Sequence, residues 1–147
     1  MEWNDEYSVG IQEIDDQHKR LLDIFSYIER GIRLQRGWME IFHSVADLKI
    51  FARIHFEIEE ALMRLYGFPA LRAHIEEHQH FFTRLAEIES KALKGPVEKE
   101  TLEFLCDWLK SHIQGSDRGY TDHILSGALV VRSGSATQSA TALKRVN

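Results

Sequence analysis

The 147-residue chain contains very little cysteine and has no long apolar run. Its single cysteine, Cys106, excludes an intrachain disulfide, and we expect a reducing, cytoplasmic setting. No stretch approaches the roughly 18 consecutive apolar residues that a membrane span needs, so we expect no membrane partner. The acidic N-terminus has no basic region followed by an apolar run, so it predicts no secretory signal. A net charge of -5 argues against a nucleic-acid partner, which usually requires a basic face.

Proline is also scarce, and both prolines follow closely on a glycine. Glycine commonly ends a helix in the left-handed conformation, and proline is tolerated in the first turn of the next helix. Breaks of this kind lie at Gln35–Gly37, Tyr66–Pro69, Lys94–Pro96 and Gln114–Gly115. They divide the chain into four segments, near Asp15–Arg36, Trp38–Tyr66, Pro69–Lys94 and Pro96–Gln114.

Each segment has apolar residues spaced three and four apart, which places them on one side of an α-helix. In the first segment this stripe comprises Leu21, Leu22, Phe25, Ile28 and Ile32. Four amphipathic helices with short connections predict an all-α fold, an up-down-up-down antiparallel four-helix bundle.

The two ends of the chain lie outside this pattern. Residues 1–14 carry aromatic and apolar side chains without helical spacing, so we expect an N-terminal arm that packs along the bundle. Asp15 is suited to cap the first helix. The C-terminal extension, 126–147, is rich in Ser, Ala, Thr and Gly, and we expect it to be poorly ordered or weakly helical. The predicted domain therefore comprises residues 1–125.

The most unusual count is eight histidines. The second segment contains His55 and Glu59, and the third contains His74 and His78; the two members of each pair are four positions apart in the sequence. Side chains with this spacing project from the same helix face, so each pair could bind one metal or two adjacent metals. Either motif alone is a weak signal, because a single core-facing histidine is more often hydrogen-bonded than a ligand.

The combination is more informative, because all four segments direct a histidine towards the predicted core. His18 precedes the first apolar stripe by one turn, and His112 lies in line with the apolar stripe of the fourth segment. Polar groups gathered in a core are costly without partners, and metal binding satisfies all of them. Asp117 lies five residues after His112, and a break at Gly115 would turn its carboxylate back towards the site.

The remaining polar residues serve as a control for this interpretation. We expect Cys106 to be a core residue and not a ligand. Three histidines are predicted to be surface or rim residues, His43, His80 and His123. Four carboxylates are predicted to belong to a solvated charged face, Glu57, Glu60, Glu76 and Glu77.

These residues resemble the hemerythrin family, in particular its bacterial single-domain members, over roughly residues 1–125. The pieces that carry the resemblance are Trp3, Tyr7-Ser8-Val9-Gly10, Ile14-Asp15-Asp16-Gln17-His18, Leu21, His55-Phe56, Glu59-Glu60, Met63, Tyr66-Gly67-Phe68-Pro69, His74, His78, Trp108-Leu109-Lys110-Ser111-His112-Ile113, Asp117 and Tyr120.

The resemblance implies two non-haem iron ions with an oxo or hydroxo bridge, and dioxygen that binds at an open position on one of them. One iron would be held by His74, His78 and His112, and the other by His18 and His55. Glu59 and Asp117 would bridge the two. The apolar wall of the oxygen pocket would be formed by Phe56, Leu109 and Ile113.

The ligand types agree with reversible binding. Mixed imidazole and carboxylate ligands suit iron, and a histidine-rich set carries less negative charge than the carboxylate-rich sites of di-iron oxidases. We therefore expect an oxygen carrier, storage or supply protein and not an enzyme, with an oxygen-consuming protein as a possible partner. The alternatives are a sensor of oxygen or nitric oxide, a di-iron redox enzyme, and a zinc-loaded or metal-free structural bundle.

Overall fold

The computed structural model describes residues 2–95 and 99–127, and this part of the chain is helical, without strands. A short 3-10 helix, Asp5–Tyr7, precedes the four bundle helices. These are α1 (Gln12–Arg33), α2 (Trp38–Leu65), α3 (Leu71–Ala92) and α4 (Lys99–His112). Among the described residues, no helix is long and apolar enough to cross a membrane.

The bundle closes as a ring of four helices. α1 packs against α2, α2 packs against α3, and α4 packs against both α1 and α3. The short connections require neighbouring helices to run in opposite directions. The predicted antiparallel four-helix bundle is therefore confirmed.

The link between α2 and α3 has the predicted glycine and proline pattern. Gly67 has a φ of 66°, in the left-handed region where a residue with a Cβ is strained. The N–H of Phe68 donates to the carbonyl of Met63, and the N–H of Gly67 donates to that of Arg64. These two bonds form a Schellman motif, which satisfies carbonyls that the end of a helix leaves unpaired. Pro69 follows at once, and α3 begins two residues after it.

The predicted cap of the first helix is wrong. α1 begins at Gln12, so Asp15 lies inside its first turn. The Asp15 carboxylate instead accepts a hydrogen bond of 2.6 Å from the hydroxyl of Ser8 and one of 2.8 Å from the N–H of Val9. Asp15 therefore fastens the N-terminal arm to the bundle, where Trp3 and Tyr7 pack against the core as predicted.

The fourth helix is longer than predicted. After α4 the chain continues through a π-helical turn, Ile113–Asp117, into a further helical stretch, 118–127. The predicted start of this helix at Pro96 lies outside the described residues. The helix passes the predicted domain boundary at 125 by two residues, and the remainder of the predicted extension, 128–147, also lies outside the described part.

The apolar stripes meet along the axis of the bundle. Each helix contributes side chains that are almost completely buried, including Phe25, Leu48, Leu85 and Leu105. This apolar core belongs to the same four helices that carry the histidines.

Candidate metal centre

The structure brings together all seven residues that were predicted as metal ligands. Their side-chain nitrogen and oxygen atoms form two overlapping groups, and within each group these atoms lie within 4.8 Å of one another. The three-histidine group comprises Glu59, His74, His78, His112 and Asp117, and the two-histidine group comprises His18, His55, Glu59 and Asp117.

Helical spacing explains most of this convergence. His55 and Glu59 lie one turn apart on α2, and His74 and His78 lie one turn apart on α3. Side chains four residues apart share a helix face, and that face points into the bundle. All of these residues are almost fully buried.

A π-helical turn brings Asp117 into line with His112. The predicted break at Gly115 is wrong, because the helix continues through that residue. In a π-helix each turn contains about one more residue than in an α-helix, so residues five apart lie one above the other. This widened turn accounts for the five-residue spacing, which fits no α-helical pair.

Each carboxylate directs one oxygen towards each group. Glu59 Oε1 lies 3.6 Å from Nε2 of His55 in the two-histidine group. Glu59 Oε2 lies 3.3 Å from Nε2 of His78 in the three-histidine group. The hydroxyl of Tyr120, 3.1 Å away, donates to Oε1 and fixes this orientation. Glu59 is therefore placed to contact two metal ions at once.

Asp117 has the same arrangement on the other side. Its Oδ1 lies 3.1 Å from Nε2 of His112 and 3.2 Å from Nε2 of His74. Its Oδ2 lies 3.2 Å from Nε2 of His18. With metal–ligand bonds of about 2.1 Å, ligands at right angles lie about 3 Å apart, so these separations suit shared coordination.

The hydrogen-bond partners on the far side of the imidazoles were not predicted from the sequence. Glu60 accepts a hydrogen bond from Nδ1 of His78 at 3.1 Å, and Glu77 accepts one from Nδ1 of His112 at 2.7 Å. Their prediction as part of a solvated face is therefore incomplete: the Glu60 side chain is only 18% exposed, and Glu77, although 43% exposed, also reaches an imidazole on a neighbouring helix. Gln17 is placed similarly, with its Oε1 2.9 Å from Nδ1 of His55. A helical wheel for one helix cannot identify such partners.

The other two carboxylates of the predicted solvated face, Glu57 and Glu76, are exposed. His43 and His80 are exposed, and His123 is half-buried at the rim with its Nε2 3.0 Å from the carbonyl of Tyr66, which agrees with the prediction of surface or rim positions. Cys106 is buried in the apolar core, as predicted.

The hydrogen bonds that Nδ1 donates indicate which imidazole nitrogens carry a lone pair. When Nδ1 of His78 and Nδ1 of His112 both donate to carboxylates, both Nε2 atoms of the neutral rings are acceptors. These two Nε2 atoms lie only 3.1 Å apart. Two lone pairs directed at the same place repel each other unless a proton or a metal cation lies between them. This arrangement fits a metal site.

Buried atoms without hydrogen bonds support the same conclusion. Within residues 2–95 and 99–127, Nε2 of His55 and Nε2 of His74 have no hydrogen-bond partner. Both carboxylate oxygens of Asp117 and one of Glu59 also have no hydrogen-bond partner among these residues. Leaving such atoms buried is costly, and coordination of a cation satisfies nitrogen and oxygen together.

The pKa values show how strongly the site attracts positive charge. Burial lowers the pKa of His18 and of His112. Contacts with Asp117 and Glu59 outweigh burial and raise these pKa values to about 9 and about 10. Burial dominates at His55 and lowers its pKa to about 4. Protons therefore balance the carboxylates in the metal-free protein, and metal ions compete with them for the same nitrogens.

Aromatic rings cover the three-histidine group. Phe56 stacks on His78 with ring centroids 3.8 Å apart, and Trp108 stacks on His112 at 4.5 Å. Leu109 lies on α4, next to Trp108, and Ile113 begins the π-helical turn that follows; both are completely buried. The residues predicted to line an oxygen pocket are thus buried in the interior.

The family model for the hemerythrin HHE cation binding domain matches residues 9–124 of the chain. Three similar relatives are bacteriohemerythrins. The one from Stenotrophomonas maltophilia (strain R551-3) is 32% identical and covers 83% of this chain and 80% of its own length. The one from Clostridium acetobutylicum is 30% identical, with 82% and 98% covered. The one from Pseudomonas aeruginosa (strain LESB58) is 33% identical, with 83% and 80% covered.

A crystal structure of wild-type hemerythrin has a similar fold. It superposes with a TM-score of 0.77 at 27% sequence identity, and covers 83% of this chain and 95% of its own. The range matched by the family model, 9–124, contains all seven clustered residues.

Proposed function

The chain belongs to the hemerythrin family, and on that basis we propose that it binds dioxygen reversibly at a non-haem di-iron centre. The observation that carries the proposal is the pair of carboxylates shared by two groups of buried imidazoles. Such sharing suits two metal ions side by side, and mixed imidazole and carboxylate ligands suit iron.

We assign the ligands from this arrangement. His74, His78 and His112 would hold one iron, and His18 and His55 would hold the other. Glu59 and Asp117 would bridge them, since each directs one oxygen to either group. The group with one imidazole fewer is the natural place for an open coordination position.

Two iron ions held there would supply the electrons that reduce dioxygen and would recover them when it leaves. The protein keeps this exchange reversible through its own residues. Five neutral imidazoles give the site less negative charge than a carboxylate-rich di-iron oxidase, so cleavage of the O–O bond is less favoured. Phe56, Leu109 and Ile113 are buried and apolar, so they would keep water and proton donors away from the site. This balance supports a carrier, storage or supply protein over an enzyme.

Spectroscopy on iron-loaded protein tests the proposal. We expect two iron atoms per chain by elemental analysis, and a visible absorption band that appears in air and disappears under argon over repeated cycles. Irreversible bleaching with product formation would indicate an enzyme instead. Retention of zinc and exclusion of iron would indicate a structural bundle.

Replacing Leu109 tests the proposed oxygen pocket. Leu109→Asn or Leu109→Tyr introduces a polar group into a fully buried apolar position, and we expect it to admit water or a proton donor. Autoxidation of the oxygenated protein, followed by the decay of its visible band, should become several-fold faster. Equal autoxidation rates in variant and parent would contradict the pocket assignment.

A further inference from the structure

The two histidine groups differ in the hydrogen-bond partners of Nδ1, the ring nitrogen on the side away from the clustered Nε2 atoms. In the three-histidine group two rings donate to carboxylates, since His78 donates to Glu60 and His112 donates to Glu77. In the two-histidine group His55 faces the neutral amide of Gln17. Nδ1 of His18 has no hydrogen-bond partner among the described residues. Among the described residues, the carboxylates that hydrogen-bond to Nδ1 of a clustered imidazole therefore all belong to the three-histidine side.

Both carboxylates are held in place by further contacts. Glu77 also accepts a hydrogen bond of 2.7 Å from the hydroxyl of Ser116, in the π-helical turn. Glu60 uses Oε1 for His78, and its Oε2 accepts a hydrogen bond of 3.0 Å from Arg64. The Glu60 side chain is only 18% exposed, whereas Arg64 is 55% exposed, so solvent screens the arginine charge more strongly. The charge of Glu60 is thus only partly compensated.

A carboxylate behind an imidazole has two effects on a bound metal. It fixes the ring orientation and the tautomer, and it increases the electron density of the nitrogen that faces the metal. A neutral amide fixes orientation but contributes little charge. Removing such a supporting partner commonly weakens metal binding by 10- to 100-fold. The three-histidine group also has one more imidazole, so both differences favour it.

We propose that Glu60 and Glu77 are positioning residues that make the three-histidine group the tighter metal site, so that two metal ions bind in a fixed order. The first ion enters the three-histidine group, and the second enters the two-histidine group. This inference rests on the proposed function, because it requires that the cluster binds two metals.

Titration of the metal-free full chain with Co²⁺ tests the order, because the visible spectrum of Co²⁺ reports its ligands and a competing chelator gives each affinity. We expect two separate steps in the parent protein. The first step should persist in His55→Ala and weaken strongly in His112→Ala. The reverse pattern would overturn the proposed order.

Two conservative variants test the role of the charge. Glu60→Gln and Glu77→Gln keep an oxygen that can accept from Nδ1 but remove the negative charge. We expect each to weaken the first step by about 10- to 100-fold and the second step far less, so that the two steps converge. Gln17→Glu should have the opposite effect and tighten the second step.

Glu57→Gln and Glu76→Gln are the matched controls. They make the same charge change on α2 and α3, at exposed positions two residues from the clustered side chains of the same helix. Affinity in these controls should change by less than about threefold, because Glu57 and Glu76, unlike Glu60 and Glu77, make no hydrogen bond to a clustered imidazole among the described residues, and solvent screens their charge. Circular dichroism melts will establish that every variant is folded. Should Glu77→Gln fail to fold, Ser116→Ala loosens the same carboxylate and should weaken the first step by a smaller factor.

The outcomes separate this inference from the proposed function. A parent protein that binds no metal at the cluster overturns both. A parent that binds two ions, with Glu60→Gln and Glu77→Gln no weaker than the two controls, overturns only the roles given to these carboxylates.

Discussion

The interior of this bundle has two regions that are equally buried and chemically opposite. In the apolar region Phe25 and Leu48 are 0% exposed, and in the metal centre His18 and Glu59 are also 0% exposed. The same helices supply both regions, since α1 contributes Phe25 and His18, and α2 contributes Leu48 and Glu59. Burial alone therefore does not distinguish a site from a core.

The difference lies in what each region needs to remain buried. Apolar side chains gain roughly 25 cal/mol for each Å² removed from water and require no partner beyond close packing. Imidazoles and carboxylates lose hydration, and within the described residues several of their atoms have no compensating hydrogen bond. The apolar region should be stable by itself, whereas the metal centre should depend on protons or metal ions.

Phe25→Ala should cause the largest loss of stability. Truncating a fully buried phenylalanine leaves a cavity and typically costs about 3–5 kcal/mol. Because Phe25 lies outside the metal cluster, we expect nearly the same loss in metal-free and metal-loaded protein, measured by urea unfolding. A loss that appears in only one of these forms would show that the two regions are energetically coupled.

Metal addition should stabilise the other region selectively. At a free metal concentration 100 times the Kd, binding to the folded state adds about 2.7 kcal/mol to the free energy of unfolding. We expect Phe25→Ala to retain this gain. Asp117→Asn should lose most of it, because one of the two shared carboxylates is removed. Thermal melts with and without metal measure the gain, and an undiminished gain in Asp117→Asn would contradict a bridging role.

Asp15→Ala tests a buried polar group that has its partners within the protein. Asp15 is 7% exposed, and it accepts from the hydroxyl of Ser8 and the N–H of Val9. Its loss leaves these donors unpaired and should cost about 1–3 kcal/mol. We expect this cost in urea unfolding without a change in metal affinity. A changed metal affinity would mean that the arm supports the centre.

The sequence predicts the parts of this molecule that depend on spacing within one helix. The four-residue pairs of α2 and α3 converge as predicted, and the glycine and proline at 67 and 69 mark a helix end. The π-helical turn was not predictable in this way, because a five-residue spacing has no α-helical interpretation. The sequence therefore suggested a break at Gly115 where the helix is continuous.

Contacts between helices explain the remaining errors. Glu60 and Glu77 lie beside the ligand-bearing faces of their own helices, so a helical wheel places them towards solvent. Glu60 reaches a ring on α3, and Glu77 reaches a ring on α4. These contacts depend on the relative rotation of two helices, which a single sequence does not contain. The one sequence feature that points to them is their position, since Glu60 directly follows Glu59 and Glu77 directly precedes His78, and both neighbours were predicted ligands.

Cys106 gives the smallest and most local test of the comparison, because it is a titratable group that lies in the apolar region. Burial raises the pKa of its thiol from the ordinary value of 9.0 to about 12. The folded state therefore keeps the proton more tightly than the unfolded state, and this contribution to stability is present below pH 9 and is lost as the pH rises towards 12. At pH 8 the buried thiolate should be roughly a thousandfold rarer than in unfolded protein, and iodoacetamide should alkylate native protein correspondingly slowly.

Because the thiol takes no part in the proposed metal binding, loading with metal should change the alkylation rate only by changing the stability of the whole protein. Fast alkylation of the native protein would mean that this apolar region is more open than its packing indicates, and the contrast between the two regions would then lose its physical basis.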